Sequence, residues 1–292
     1  MAETILVTGA TGTVGSEVVK QLSTKGEIVK AAARSANDTT FAHLSGVQTV
    51  QLDLNSTDTM ASVFQGVEKL FLLTPFQSNM VDLTSNLVNK AKNAKVKYIV
   101  KLSVMGADAE PGITPSRLHR QAEKIIEESE IPFTFLRANF FMQNFVNFFS
   151  RTIKSQNAFY VPAGDGKISM VDVRDIASVA GQVLTSSDND RHVGKAYNIT
   201  GGEALSYYQV AEILSTEVGK KVSYVNISDE DARKGMKDSG SDEWTINSMI
   251  ELFEIIRAGY AATISPAVEQ ITGNRPISFS QFAKDNVASF KE

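Results

Sequence analysis

Three glycines near the N-terminus stand in the run Gly9-Ala10-Thr11-Gly12-Thr13-Val14-Gly15. Their chemistry is that of the backbone. In such a run the first glycine permits a tight turn, the second lets amides approach an anion, and the third lets a helix pack closely on a strand. Before the turn, Thr4-Ile5-Leu6-Val7-Thr8 is β-branched and apolar and reads as a buried strand. After it, Ser16 to Leu22 carries apolar residues at helical spacing. Strand, glycine turn and helix form the context in which amides and the positive end of a helix dipole hold a dinucleotide pyrophosphate. The first gap is one residue longer than in Gly-x-Gly-x-x-Gly, and a turn that merely joins strand to helix is the plain alternative. On the dinucleotide reading, Gly9, Thr11, Gly12, Thr13, Val14 and Gly15 are cofactor contacts.

A second strand, Glu27 to Ser35, ends on Arg34 and Ser35. An acidic residue about 20 positions past the glycines would bond a ribose 2′-hydroxyl, whereas an arginine there accommodates a 2′-phosphate. Arg34 is that arginine, Ser35 a further donor, and no carboxylate stands between Ala31 and Ser35. A guanidinium fork matches phosphate oxygens and stays charged. NADP(H) is therefore expected over NAD(H), with a solvated strand-end charge as the alternative for Arg34. Further along, Val47 to Leu54 alternates and ends at Asp53, which accepts from an adenine amino group or caps the next turn; Leu54 borders the same place. Thr74 and Pro75, at the end of the strand Lys69 to Thr74, border the cofactor, as does Ser103 at the end of Val96 to Ser103.

Two residues are candidates for catalysis. His119 can switch protonation near neutral pH and so deliver a proton, or it does packing work on its helix. Ser103 orients a carbonyl or the nicotinamide, or is a turn hydroxyl. The stretch Phe133, Phe135, Phe140, Phe141, Phe145, Phe148, Phe149 supplies flat apolar area suited to a conjugated acceptor, although most of it reads as core. Phe76, Asn139, Phe140, Phe141 and Asn144 are the expected substrate contacts. Asn139, Asn144 and Asn147 are polar groups in an apolar run, and a buried unpaired amide costs about 1–3 kcal/mol.

The elements that must position these residues alternate. Strands and helices follow one another from residue 3 to about 130, the pattern of a doubly wound parallel sheet, and ligands bind such sheets beyond the carboxyl ends of the strands. That places Gly9 to Gly15, Arg34, Asp53, Thr74 and Ser103 on one rim. Ser56-Thr57-Asp58 reads as the start of a helix to Phe64, residues 79 to 94 as an amphipathic helix, and Ser206 as the cap of a helix to Val218. The alternation becomes irregular after about 150. The expected division is a cofactor domain, 1–152, with a strand near 195–200 returning to its sheet, and a smaller, mostly helical substrate-side region, 153–292.

Composition narrows the field. The chain has 292 residues, 42% of them hydrophobic and 21% charged, which is ordinary for a globular protein. A net charge of −4 argues against a general nucleic-acid binder. With no cysteine, disulfides, thiolate catalysis and zinc–thiolate sites are excluded. The three histidines, His43, His119 and His192, make no metal-ligand spacing, and no metal is expected. No apolar run approaches the roughly 20 residues of a membrane span. A cytoplasmic protein with a small-molecule partner, monomeric or homodimeric, is expected.

Together the motifs resemble those of the NmrA-like, atypical short-chain dehydrogenase/reductase family. They are Val7 to Gly15, Ala33-Arg34-Ser35, His119-Arg120-Gln121-Ala122-Glu123, Ile131 to Arg137, Phe140 to Phe145 and Tyr197 to Gly201. The resemblance covers nearly the whole chain. It implies a Rossmann domain with a small C-terminal domain and NADP(H) as cofactor. None of the seven tyrosines is followed four positions later by lysine, so the Tyr-x-x-x-Lys pair of ordinary short-chain dehydrogenases is missing. The isoflavone reductase branch carries a catalytic lysine at the position of His119, and that role does not transfer. The expected function is hydride transfer from NADPH to a quinone-, enone- or dye-like molecule; the alternative is a non-catalytic, NADP(H)-sensing regulator.

Overall fold

A computed structural model describes residues 3–54, 60, 62–187 and 191–291. The chain divides into two compact units, Met1–Arg137 with Ile176–Asn198, and Ala138–Asp175 with Ile199–Glu292. The division falls earlier than 152, and the helix Val173–Leu184 is shared between the units.

The first unit is a parallel, doubly wound sheet. Its strands are β1 (Thr4–Val7), β2 (Ile28–Ala33), β3 (Val47–Gln51), β4 (Lys69–Leu72), β5 (Tyr98–Val104) and β6 (Phe133–Ala138). They run β3-β2-β1-β4-β5-β6, and Lys195–Ile199 adds a seventh strand beside β6. Pairing is parallel from β3 through β5. Central strands covered on both faces must be apolar throughout, and Ile5, Leu6, Val7, Leu70, Phe71 and Leu72 are all buried. Helices α1 (Thr13–Thr24), α2 (Met80–Asn93) and α3 (Thr114–Glu128) belong to this unit. Val14, Val18, Val19 and Leu22 give α1 its buried stripe; Leu83, Leu87, Val88 and Ala91 do the same for α2. The chain first builds outward through β2 and β3, then crosses back to place β4 on the other side of β1. At such a reversal of order the strand ends diverge and leave a crevice. The expected start at Ser56-Thr57-Asp58 lies outside the described residues.

The second unit has its own core, in which Phe145, Phe159, Phe279 and Phe282 are fully buried. Phe145 meets Phe159 and Phe279 edge-on, with centroids 5.3 and 5.1 Å apart. Most of the aromatic run is thus packing, while Phe148 stands 71% exposed. The helix Tyr207–Val218 begins with a capping box between Ser206 and Gln209. Past Ser228 this unit is helical, in Asp229–Asp238, Glu243–Arg257, Ala267–Thr272 and Phe279–Asp285.

Candidate functional site: the strand-end rim of the parallel sheet

The glycine turn closes between β1 and α1. Gly9 has φ of +62°, a conformation L side chains rarely adopt, and a Cβ there would sit 2.6 Å from Leu73 Cδ2. A Cβ on Gly15 would collide with the Gly9 carbonyl oxygen, so α1 reaches the turn only because position 15 has no side chain. Gly12 donates to the Gly9 oxygen at 3.0 Å and is the N-cap of α1, where it offers no side-chain acceptor to the first turn. Thr11, Gly12 and Thr13 are exposed, whereas Val14 and Gly15 are buried, which leaves Val14 only its backbone for a ligand.

Thr8 locks this turn to its neighbour. Fully buried, its hydroxyl donates to the Leu73 carbonyl at 2.8 Å and accepts from the Leu73 N–H at 2.8 Å. The tips of β1 and β4 are therefore held in one register, with Thr74 and Pro75, both partly buried, directly beyond. Phe76 follows, 42% exposed. Arg34 and Ser35 are exposed at the tip of β2, and the guanidinium has no ion pair among the described residues. Ser35 accepts from the Asn37 N–H at 3.2 Å. Asp53 is exposed and Leu54 partly buried past β3. Parallel strand tips thus carry the glycine turn, Arg34, Asp53 and Thr74, as the alternation requires.

Ser103 stands near the end of β5 and His119 on α3, as the spacing predicts, and the structure adds their partners. Ser103 is 1% exposed, and its hydroxyl donates to Glu123 Oε1 at 2.7 Å, so its proton is committed inside the protein. Glu123, fully buried on α3, also accepts from Arg137 Nε and Nη2 at 3.0 and 2.8 Å and from Arg120 Nη1 at 3.1 Å. Arg137 continues to Asp108. One turn earlier on α3, half-buried His119 places Nδ1 3.1 Å from Lys101 Nζ. Lys101 is fully buried and also donates to the Leu102 carbonyl at 2.9 Å. Burial first, then the positive Lys101, pushes the His119 pKa well below its ordinary range, so the ring is neutral near pH 7 rather than switching there. Burial pulls Lys101 down to about 7, against the attraction of Glu123.

Lys101, Glu123 and Arg137 were not anticipated as site residues, although signals exist. Lys101 interrupts the apolar run of β5 two residues before Ser103, hence on the same face. His119 and Glu123 are four apart and share a helix face.

In the second unit, Asn139 is 6% exposed and its amide donates to the Ser169 hydroxyl at 2.8 Å and the Ala261 carbonyl at 2.9 Å. It pins two loops, which commits both amide protons inside the protein, while its Oδ1 accepts from the Phe140 N–H at 3.0 Å. Phe140 packs against the core there, and Phe141 and Asn144 are partly buried. Phe145–Phe149 forms a π-helical turn. A groove of about 470 Å³ beside Tyr208, Lys221 and Tyr224 touches none of the expected site residues. No group of three or more His, Asp or Glu among the described residues could hold a metal ion, and no described helix is long and apolar enough to cross a membrane.

A parallel sheet with its order reversed beside β1, and a glycine turn at that reversal, define a dinucleotide-binding protein of the Rossmann type. The NmrA-like family model matches residues 1–275, and the chain belongs to that family. The NAD(P)H azoreductase of Xenophilus azovorans is 36% identical over 286 residues, 98% of this chain and 99% of its own length. The NADPH complex of an Escherichia coli NADPH-dependent quinone oxidoreductase superposes with a TM-score of 0.84 at 27% identity, covering 96% of this chain and 99% of that one. The NADP(H) complex of Citrobacter sp. triphenylmethane reductase gives 0.83 at 26% identity, covering 97% and 99%.

Proposed function

We propose that this protein is an NADPH-dependent oxidoreductase that transfers a hydride to a conjugated small molecule of the quinone, enone or dye class. The observation that carries the reading is the rim at β1 and β2: a turn too tight for a Cβ at Gly15, and an exposed arginine at the neighbouring tip with no carboxylate beside it. The relatives, an azoreductase, a quinone oxidoreductase and a triphenylmethane reductase, support the acceptor class.

The residues fit the cofactor. The backbone from Gly9 to Gly15 would hold the pyrophosphate, Arg34 and Ser35 the 2′-phosphate, and Asp53 and Leu54 the adenosine side. Thr74 and Pro75 would border the opposite end, with Phe76 next to them on the acceptor side. Bound NADPH supplies the hydride. The chain's own work is to orient and to keep β1 and β4 in register through Thr8. The net charge of −4 fits a small-molecule partner rather than nucleic acid. We take the working form to be a cytoplasmic monomer or homodimer.

Steady-state NADPH consumption with a panel of quinones, enones, azo dyes and triarylmethane dyes tests this. Turnover is expected with at least one class. Arg34→Asp is expected to raise the Kd for NADPH about 10- to 100-fold, as loss of a charged hydrogen-bonded partner does, with a change of only a few fold for NADH. Absence of turnover with every acceptor, or equal losses for both coenzymes, would overturn the reading.

A further inference from the structure

Reduction of a quinone or an azo bond needs a proton as well as a hydride, and His119, held neutral, is a poor reservoir by itself. We propose that Lys101 and His119 act as a proton-delivery pair, the buried ammonium recharging the half-buried imidazole through their Nζ–Nδ1 contact. The inference rests on the oxidoreductase reading above and adds to it the source of the proton.

The geometry is directional. With Nζ 3.1 Å from Nδ1 and the lysine charged, Nδ1 accepts and the ring's own proton sits on Nε2. Among the described residues Nε2 has no hydrogen-bond partner. When the reduced acceptor carries an anionic oxygen or nitrogen, the Nε2–H bond breaks and the acceptor's O–H or N–H bond forms. In the same movement one Nζ–H bond breaks and an Nδ1–H bond forms. His119 ends neutral as the other tautomer, Lys101 ends as a neutral amine, and water returns a proton to the pair. No imidazolium is required, which suits a ring whose surroundings disfavour charge.

The environment of Lys101 fits the role. Burial brings its ammonium to about 7, so it gives up a proton far more readily than an exposed lysine. The ionisable groups facing it are His119 and Glu123, both from α3. Arg120 and Arg137 engage Glu123 rather than Lys101, which leaves the ammonium without an ion pair among the described residues. Lys101 is here a positioning and relay residue; His119 is the group that would meet the acceptor.

Two kinds of acceptor separate this from a structural role. A neutral quinone takes a hydride and a proton, whereas a cationic triarylmethane dye takes a hydride alone and becomes its neutral leuco form. Lys101→Met is expected to lower the quinone-to-dye ratio of kcat by about 10²-fold, the scale of general acid catalysis. His119→Gln, at a half-buried position, is expected to lower it similarly and serves if Lys101→Met does not fold. In the wild type, quinone turnover is expected to fall as pH rises through about 7, since the relay needs Lys101 protonated, with dye turnover flat over that range. Independently of turnover, nitrogen-detected NMR of the coenzyme-free protein is expected to show His119 neutral near pH 7, with Lys101→Met raising its pKa towards the ordinary range. Equal losses for both acceptors, an unchanged ratio in both variants, or a His119 pKa that Lys101→Met does not move would overturn the proton pair. A wild-type protein that turns over neither acceptor would overturn the oxidoreductase reading instead.

Discussion

The opening turn and the polar row between β5 and α3 are made from different materials. At the turn, the working groups are backbone amides, and what the residue types contribute is the absence of side chains at Gly9, Gly12 and Gly15. The polar row is the reverse: Lys101, Ser103, His119, Glu123 and Arg137 come from three elements and act through their heads, several of them fully buried. A site made of backbone depends on local spacing. A site made of side chains depends on which elements the fold brings together.

The contrast can be broken most severely at Glu123. Its carboxylate faces two arginines and a hydroxyl with no exposure, so Glu123→Ala leaves partly buried Arg137 without its main counter-charge. Loss of one member of a buried pair costs about 3–5 kcal/mol, and urea unfolding should report a destabilisation of that size. Glu123→Gln, which keeps the shape but not the charge, should fall between. At the turn, Gly15→Ala should cost about 1–3 kcal/mol in stability, the range for overpacking, because the new Cβ meets the Gly9 oxygen. Thr11→Ala, at an exposed position of the same turn, should change stability by less than about 0.5 kcal/mol. If the two changes cost the same, the turn is not governed by its backbone.

Asp175 in the second unit gives a control that touches neither region. Burial raises its pKa from 3.8 to about 6, while it accepts from the Ile277 N–H at 2.9 Å. A raised folded-state pKa favours the protonated form, so its contribution is fully present below pH 3.8 and is lost as pH rises through about 6. Asp175→Asn keeps the acceptor and removes the charge. It should stabilise the protein at pH 8 by at most roughly 2–3 kcal/mol and have little effect at pH 4, measured as Tm at both values.

The fold was legible because its signals are local. Apolar runs at β1 and β4, alternating helices and a glycine turn need no knowledge of what lies across the molecule. Arg34 was readable for the same reason, as a strand-end residue at a fixed distance from the turn. The internal partners of Ser103 and Asn139 were not legible, because Glu123 and Ala261 are far away in sequence and a hydroxyl or amide looks available until such partners are known. Lys101 was not legible because a lysine side chain ordinarily reaches solvent, and only the packing of α3 shows that this one, in the middle of β5, does not. The return of a strand near 195–200 to the first sheet was legible, and Lys195–Ile199 lies beside β6; the earlier crossing at Ile176, which opens the exchange between units, was not, because that helix is unremarkable in composition.

That exchange has a consequence for anyone trimming the gene. The polypeptide passes from one unit to the other after residues 137, 175 and 198, so no single scission frees either body intact. A product stopped at residue 152 would lack Lys195–Ile199, the strand that covers β6. Its bared hydrogen-bonding edge is the kind of surface that recruits a second chain. Such fragments are expected to precipitate or to bind chaperones, and dissection of this protein is better attempted by point changes than by excision.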